Sequence, residues 1–309
     1  MSREIQLLAT GMRTLVEDLG RAGYAHLGVP TAGAADRAVH RLAQRLVGND
    51  ESSAGLECLL GGLALRARCH TIVAVTGAPA AVTIDGSAVA SARPHALAPG
   101  QVLEVGEPTH GLLVYVALAG GVDVAPALGS RSRDTLSGIG PDAVQPDQVL
   151  RLGEVDPASA RSLQPDAWPL AAAAAPGEGL VRLDATWGPR DDWFTPAARE
   201  TLASTTWTVR DDSDRVGTRL AGPALERVDG GAGELASEGM VRGAVQVTRA
   251  GLPVVFGVDH PTTGGYPVVA VLDPRSCDRL AQCRPGDQVV IRPRTLPGSR
   301  APVKQAGLK

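Results

Sequence analysis

Short apolar runs bounded by glycine, proline and aspartate recur along most of the chain, and this pattern limits the fold more than any other feature. Runs such as Leu63 to Ala67, Ile72 to Thr76 and Leu112 to Leu118 have the length of β-strands. The turn residues between the runs follow one another so closely that long helices have little room. The sequence therefore predicts a mainly β fold with a few short helices.

Three segments have helical character. The clearest spans residues 34–47, where apolar side chains recur on one face and Gly48 and Asn49 form the stop signal. The other two begin at Thr195 and Asp273, each of which is followed by a proline, a pairing typical of an N-cap and the first helical position.

The length of the chain favours more than one core. A chain of 309 residues exceeds the size at which a single core usually keeps growing. The segment from Glu154 to Gly179 is rich in alanine, proline, serine and aspartate and lacks periodicity. We therefore predict an N-terminal β-rich lobe at 1–155, a linker at 156–179, a C-terminal lobe at 180–295 and a flexible tail at 296–309.

Lysine is almost absent, which excludes several reaction types. Of 30 basic residues only Lys304 and Lys309 are lysines. A phosphate-binding P-loop, a Schiff-base enzyme and a biotin carrier all need a lysine within the folded part. Phosphate or carboxylate would instead be bound by arginine and backbone amides, which suit planar anions. A general composition bias also explains the ratio, but the exclusion holds in either case.

Charge and hydropathy limit the partners. The net charge of −3 and the lack of a basic cluster predict no nucleic-acid partner. No apolar run approaches the roughly 20 residues of a membrane span, and the N-terminus lacks a signal-peptide core. We therefore predict a cytoplasmic protein without a membrane partner. The four cysteines show no metal-ligand spacing, and no common hydrolase, zinc-protease or nucleotide motif occurs.

Two loops in the N-terminal half are candidate sites. The first holds Asp18, Arg21 and, further on, Asp36, between glycines and prolines that indicate an ordered loop. The alternative for Asp18 and Arg21 is an ion pair that closes a turn. The second loop holds Arg131 and Ser132, which could bind a phosphate or carboxylate; the alternative is a solvated loop.

A hairpin in the C-terminal half is the most site-like segment. Apolar runs at 244–247 and 254–258 flank a turn, and the second run leads to Asp259 and a glycine-rich loop. Glu238 and Asp259 are candidate general bases, and either could instead fix a turn. Arg215 is a further binding candidate, whose alternative is a turn residue paired with Asp214. The binding candidates of the hairpin and its loop are Gln246, Thr262, Thr263, Gly264, Gly265 and Tyr266.

Blocks spread from about residue 5 to residue 294 resemble the allophanate hydrolase subunit 2 family, which is related to the carboxyltransferase domain of urea carboxylase. The matching blocks are 18–36, 120–133, 188–196, 213–223, 237–267 and 280–287. The family includes the C-type subunit of bacterial 5-oxoprolinase and the regulator KipA. The resemblance implies two cyclophilin-like β-barrel lobes. The catalytic candidates, chosen from the loops and the hairpin, are Asp18, Arg21, Asp36, Glu238 and Asp259.

The resemblance also implies a reaction and partners. The implied reaction is ATP-driven cleavage of 5-oxoproline to glutamate, with ATP and Mg²⁺ as cofactors and no covalently bound biotin on this chain. The implied partners are a smaller B-type (KipI-like) protein and an A-type protein that binds the lactam. Two alternatives stay open: a carboxyltransferase of the urea carboxylase type, and a KipA-like regulator that binds a kinase inhibitor without catalysis.

Overall fold

A computed structural model describes residues 2–155, 179–228 and 235–295, and confirms the mainly β fold with a few short helices. We call residues 2–155 the first lobe and the described residues from 179 to 295 the second lobe. Almost all of the predicted linker and the whole predicted tail lie outside the described residues. The predicted lobe boundaries stay predictions.

Two antiparallel sheets form the first lobe. One has the strand order β11-β1-β4-β9-β6-β7 and the other the order β2-β3-β10-β5-β8. The strands are β1 Glu4–Thr10, β2 Arg13–Glu17, β3 Gly55–Leu59, β4 Leu63–Ala67, β5 Thr71–Gly77, β6 Ala80–Ile84, β7 Ser87–Val89, β8 Pro94–Leu97, β9 Val102–Pro108, β10 Leu113–Leu118 and β11 Val149–Arg151.

Strand β10 shows how the first lobe is layered. All six of its residues are buried because both faces of its sheet are covered. Val114 and Val116 join the core between the two sheets, whereas Tyr115 and Ala117 face helix α1, Arg37–Leu46. Full burial of one such aliphatic side chain stabilises the fold by about 1.5–3 kcal/mol.

A closed seven-stranded barrel forms the second lobe, in the order β12-β19-β16-β17-β14-β13-β20. The parallel pairing of β12 with β20 closes it. Two short strands, β15 and β18, form a separate pair. The strands are β12 Val181–Trp187, β13 Trp207–Val209, β14 Gly217–Ala221, β15 Glu238–Gly239, β16 Ala244–Val247, β17 Pro253–Phe256, β18 Thr263–Gly264, β19 Val268–Leu272 and β20 Gln288–Arg294.

The three predicted helices are present. Helices α2, Pro196–Ser204, and α3, Pro274–Leu280, begin after Thr195 and Asp273, whose side chains accept hydrogen bonds from the first turn. Helix α1 begins at Arg37, later than predicted, because Asp36 is its N-cap and accepts from Val39 N. No helix among the described residues is long and apolar enough to cross a membrane.

Side chains of the second lobe bind the backbone of the first. Gln282 Oε1 accepts from Leu112 N and Leu113 N, at 3.1 and 2.9 Å. Arg284 donates to the carbonyl oxygens of Pro108 and Gly111. Because these bonds satisfy polar groups on both sides of the junction, they fix the positions of the two lobes relative to one another.

Candidate functional site at the junction of the lobes

One arginine lies at the centre of a buried charge cluster. The Arg215 side chain is only 5% exposed. Its Nε lies 2.9 Å from Asp259 Oδ2, its Nη1 contacts Glu57 Oε1, and its Nη2 lies 3.2 Å from Glu17 Oε1. Nη2 also donates to Gly33 O at 2.8 Å. One guanidinium of the second lobe is therefore bound to two carboxyl groups and a carbonyl of the first. We call Glu17, Glu57, Arg215 and Asp259 the Arg215 cluster.

Strand pairing positions the two acids of the first lobe. In the β2–β3 pair, Leu15 lies opposite Glu57. Since side chains alternate along a strand, Glu17 points to the same side of the sheet as Leu15 and Glu57. Tyr115 on β10 lies opposite Glu57 on its other flank. Two neighbouring strands thus place both acids and a phenol on the sheet face that meets the second lobe.

The barrel positions the other half of the cluster. Strands β14 and β17 are paired, with Gly217 opposite Phe256. Arg215 precedes β14 and Asp259 follows β17, so both emerge at the same end of the pair. The backbone N–H of Asp259 donates to Arg215 O at 3.1 Å, which continues the pairing beyond the strands.

Hydrogen bonds fix most of the carboxylates. Glu57 Oε2 accepts from Tyr115 Oη and from Ala35 N, both at 2.8 Å. Asp259 Oδ2 accepts from the N–H and hydroxyl of Thr135, at 3.0 and 2.6 Å. Glu17 differs, because neither of its carboxyl oxygens makes a hydrogen bond in the described structure.

Burial sets the protonation of this network. It raises the pKa of Glu17 well above its ordinary 4.5; Arg215 acts in the opposite direction, whereas Glu57 and Asp259 add to the rise. Burial also raises the pKa of Asp36, the N-cap of α1, to about 7. Glu17 therefore keeps its proton where an exposed glutamate is ionised, which reduces the excess of negative charge around one guanidinium.

Asp18 organises a second group. Its Oδ1 accepts from Gly20 N at 2.7 Å and from the hydroxyls of Ser130 and Ser132 at 2.6 Å each, and its Oδ2 accepts from Arg131 N at 2.6 Å. Burial acts to raise the pKa of Asp18, but these bonds outweigh it and hold the pKa below its usual value. Every bond is internal, so Asp18 holds the loop at 127–132 in place.

Arg21 does not pair with Asp18, so the alternative of an ion pair closing a turn is wrong. The Arg21 side chain donates to the carbonyl oxygens of Ala127 and Ser132. The residue is 2% exposed, and its Nη1 has no hydrogen-bond partner in the described residues. Arg21 therefore brings a positive charge and unused donors to the loop that contains the predicted anion ligands.

Arg131 lies in a different environment. Its Nη2 is 2.9 Å from Asp123 Oδ1, with the two side chains 38% and 49% exposed. Ser132 is fully buried, and its hydroxyl is bonded to Asp18. The assignment of both residues to anion binding stays a prediction.

The glycine-rich loop owes its first glycine to packing. A Cβ on Gly264 would lie 2.5 Å from Gln246 Nε2, the atom that donates to Tyr266 O at 3.0 Å. A side chain at position 264 would therefore displace the Gln246 amide from its bond to Tyr266. Thr263 and Gly265 are exposed, Thr262 is half-buried, and Tyr266 is 40% exposed.

The structure brings part of the hairpin set together, because Gln246 bonds Tyr266 and Glu238 lies opposite Gly264. Glu238 is ion-paired with Arg190, whereas the carboxylate of Asp259 binds Arg215 and not the glycine-rich loop. The alternative that Arg215 pairs with Asp214 is wrong. Asp214 Oδ1 instead accepts from the backbone N–H groups of residues 216 and 217, at 2.9 and 3.0 Å.

Glu17, Glu57 and Tyr115 belong to this network, and the sequence interpretation missed them. Each lies in or at the end of an apolar strand segment, which predicts core rather than site. The charge of Glu57 could have identified it. A glutamate in the centre of the segment from Gly55 to Leu59 needs a partner once the strand is buried on both faces.

The described residues contain no group of three or more histidine, cysteine, aspartate or glutamate side chains that could hold a metal ion. The three carboxyls of the Arg215 cluster already surround a guanidinium. Biotin attachment needs a lysine, and none precedes Lys304.

The fold and the site together define a class of protein: two-lobed β proteins with a buried charge cluster at the junction of the lobes. The family description "Carboxyltransferase domain, subdomain A and B" matches residues 27–293. The chain belongs to this family.

Relatives fall into two groups. The chain is 33% identical to the C-type subunit of 5-oxoprolinase from Escherichia coli, over 92% of this chain and 89% of that protein. It is 32% identical to urea amidolyase of Saccharomyces cerevisiae, over 96% of this chain but only 17% of that protein. The crystal structure of K. lactis urea amidolyase superposes with a TM-score of 0.86 at 30% identity, covering 94% of this chain and 19% of that one.

Proposed function

We propose that this chain is a component of an ATP-dependent 5-oxoprolinase, which cleaves 5-oxo-L-proline to L-glutamate together with an A-type lactam-binding partner and a B-type (KipI-like) partner. The observation that carries the proposal is the similarity to the C-type subunit of Escherichia coli 5-oxoprolinase, which extends over 89% of that protein. With urea amidolyase, by contrast, the similarity is confined to 17% of the relative.

The chemistry of a lactam agrees with the residues present. A lactam carbonyl is a poor electrophile, and transfer of a phosphoryl group from ATP to its oxygen, with release of ADP, makes the carbon reactive towards water. Loss of phosphate and protonation of the ring nitrogen then give glutamate. Such a step needs cationic and N–H donors for the phosphoryl oxygens. The Arg21 side chain contacts the loop that carries Arg131, and its Nη1 has no hydrogen-bond partner in the described residues.

The test is the formation of glutamate and ADP from 5-oxoproline and ATP. The chain would be assayed alone and with its A-type and B-type partners, with avidin added in parallel. We expect both products only in the complete mixture and no effect of avidin. A complex that forms but produces neither compound contradicts the proposal and favours a regulator that acts by binding.

Arg131 gives a sharper test of the predicted anion site. Because its ion pair with Asp123 is partly exposed, Arg131→Ala should leave the fold intact. If Arg131 binds the phosphoryl group, the substitution raises the barrier by about 2–4 kcal/mol. An unchanged kcat/KM removes Arg131 from the site, and Arg66→Gln on the first lobe is the matched control.

The second candidate is carboxyl transfer in a biotin-dependent enzyme. It is favoured by the superposition on K. lactis urea amidolyase, with a TM-score of 0.86. Since no lysine precedes Lys304, the biotinylated lysine would lie outside the folded lobes. Biotin-dependent carboxyl exchange that avidin abolishes would support this function over the first.

A further inference from the structure

A cavity of about 440 Å³ lies between the lobes beside the Arg215 cluster, and Arg215 is one of its lining residues. Residues of both lobes line it, and most of the lining side chains are apolar. The first lobe contributes Leu59, Leu60 and Leu113, and the second contributes Val255, Phe256 and Leu280. Neither the loop at 127–132 nor the glycine-rich loop reaches it. Its volume is within the range of small-molecule sites, which are mostly apolar with a few polar groups that orient the ligand.

Arg13 is the polar group that distinguishes this cavity. It stands at the start of β2, is partly buried and lines the cavity. Within the described residues its guanidinium has no ion pair or hydrogen bond with a side chain. An arginine without a carboxylate partner is available to a planar anion, which it can bind through two parallel hydrogen bonds.

The other charged groups of the lining are already compensated or exposed. Arg215 belongs to its own cluster, and Arg242 Nη2 donates to Ala35 O and Asp278 Oδ1, both at 2.7 Å. Asp214 accepts two backbone N–H groups. Asp211 is exposed, so water and salt screen its effect on a bound anion.

We propose that the cavity binds a small organic carboxylate with a compact apolar body. The body lies against the leucine, valine and phenylalanine side chains, and the carboxylate pairs with Arg13. Charge complementarity selects the anion, because Arg13 is the cation of the lining that the described protein leaves without a counterion. The inference does not depend on the proposed reaction, since it concerns binding alone.

The experiment compares acids with neutral amides of the same shape. Binding of benzoate and cyclohexanecarboxylate, and of benzamide and cyclohexanecarboxamide, would be measured by calorimetry or ligand-observed NMR on the full chain. We expect the acids to bind at least about tenfold more tightly than the amides, the ratio that one charge-assisted hydrogen bond supplies. Arg13→Gln should remove this difference by weakening the acids alone.

Two further variants locate the site. Ala281→Leu narrows the cavity and keeps Arg13, and it should abolish binding of the acids. If the Ala281→Leu protein does not fold, Thr218→Leu serves the same purpose. Arg66→Gln, on the exposed side of β4, should bind as the wild type does. The proposal is overturned if no acid binds, if acids and amides bind equally, or if Arg13→Gln and the cavity variants leave acid binding unchanged.

Discussion

Arg215 and Arg131 stand in similar sequence surroundings and end in opposite environments. Each follows a serine or aspartate in a loop, and each is a candidate anion ligand from the sequence. Arg215 is 5% exposed among three carboxyls, whereas Arg131 is 38% exposed beside one. The role of an arginine in this fold therefore depends on what the other lobe places opposite it.

The strongest test of the comparison removes Arg215. Arg215→Ala leaves Glu57 and Asp259 buried without their counterion, which should lower the free energy of unfolding by about 3–5 kcal/mol. The measurement is urea-induced unfolding followed by circular dichroism. Arg215→Lys is the control, because it keeps the charge and loses only the forked geometry. A loss below about 1 kcal/mol for the alanine variant would show that the cluster is not what holds the lobes together.

Asp18→Asn should have the next largest effect. The amide keeps the shape but cannot accept all the bonds from Gly20 N, Ser130, Arg131 N and Ser132, so we expect a loss of about 2–3 kcal/mol at neutral pH. Since the folded pKa of Asp18 lies below its ordinary 3.8, the stability it adds is present above that value. It is lost as pH falls through the folded pKa. Unfolding curves that differ equally at neutral and strongly acidic pH would contradict this assignment.

Glu17→Gln tests protonation inside the Arg215 cluster. Because the folded pKa of Glu17 is raised, its contribution is full below 4.5 and is lost as pH rises from there towards the folded pKa. The glutamine variant lacks this dependence, so its stability relative to the wild type should increase with pH above 4.5. The difference in stability would be measured from the melting temperatures of both proteins at acidic and at neutral pH. Parallel profiles would mean that Glu17 is ionised in the folded protein.

Arg131→Ala should have the smallest effect on stability, about 0–1 kcal/mol, because water screens its exposed pair with Asp123. A double-mutant cycle with Asp123→Ala gives the coupling energy, which salt should reduce further. A loss as large as that of Arg215→Ala would erase the distinction between the two arginines.

Local elements were predictable from sequence because local residues determine them. The strands from Leu63 to Ala67 and from Thr71 to Gly77 follow from apolar runs and turns, and α2 and α3 follow from an N-cap and a proline. A barrel was expected only from the family resemblance, since β12 and β20 are far apart in sequence and no local signal records their parallel pairing.

The sequence drew attention to some residues of the candidate site but did not identify their partners. Asp18, Arg21, Arg215 and Asp259 lie in polar loops that the sequence marks, but their partners depend on strand register. Glu57 meets Arg215 because β3 turns that side chain towards the second lobe. When the partner of a side chain lies on the other lobe, the neighbouring sequence does not reveal that partner.

The contact between Arg215 and Glu57 spans 158 positions of the chain. At roughly 5–20 residues per second on the ribosome, Glu57 waits about 8–32 seconds for its counterion to be synthesised. During that interval the nascent first lobe carries Glu17 and Glu57 without the arginine that neutralises them. We expect their face of the sheet to stay hydrated and the lobe to remain loosely packed until the barrel emerges, so that the order of synthesis becomes part of how this fold is reached.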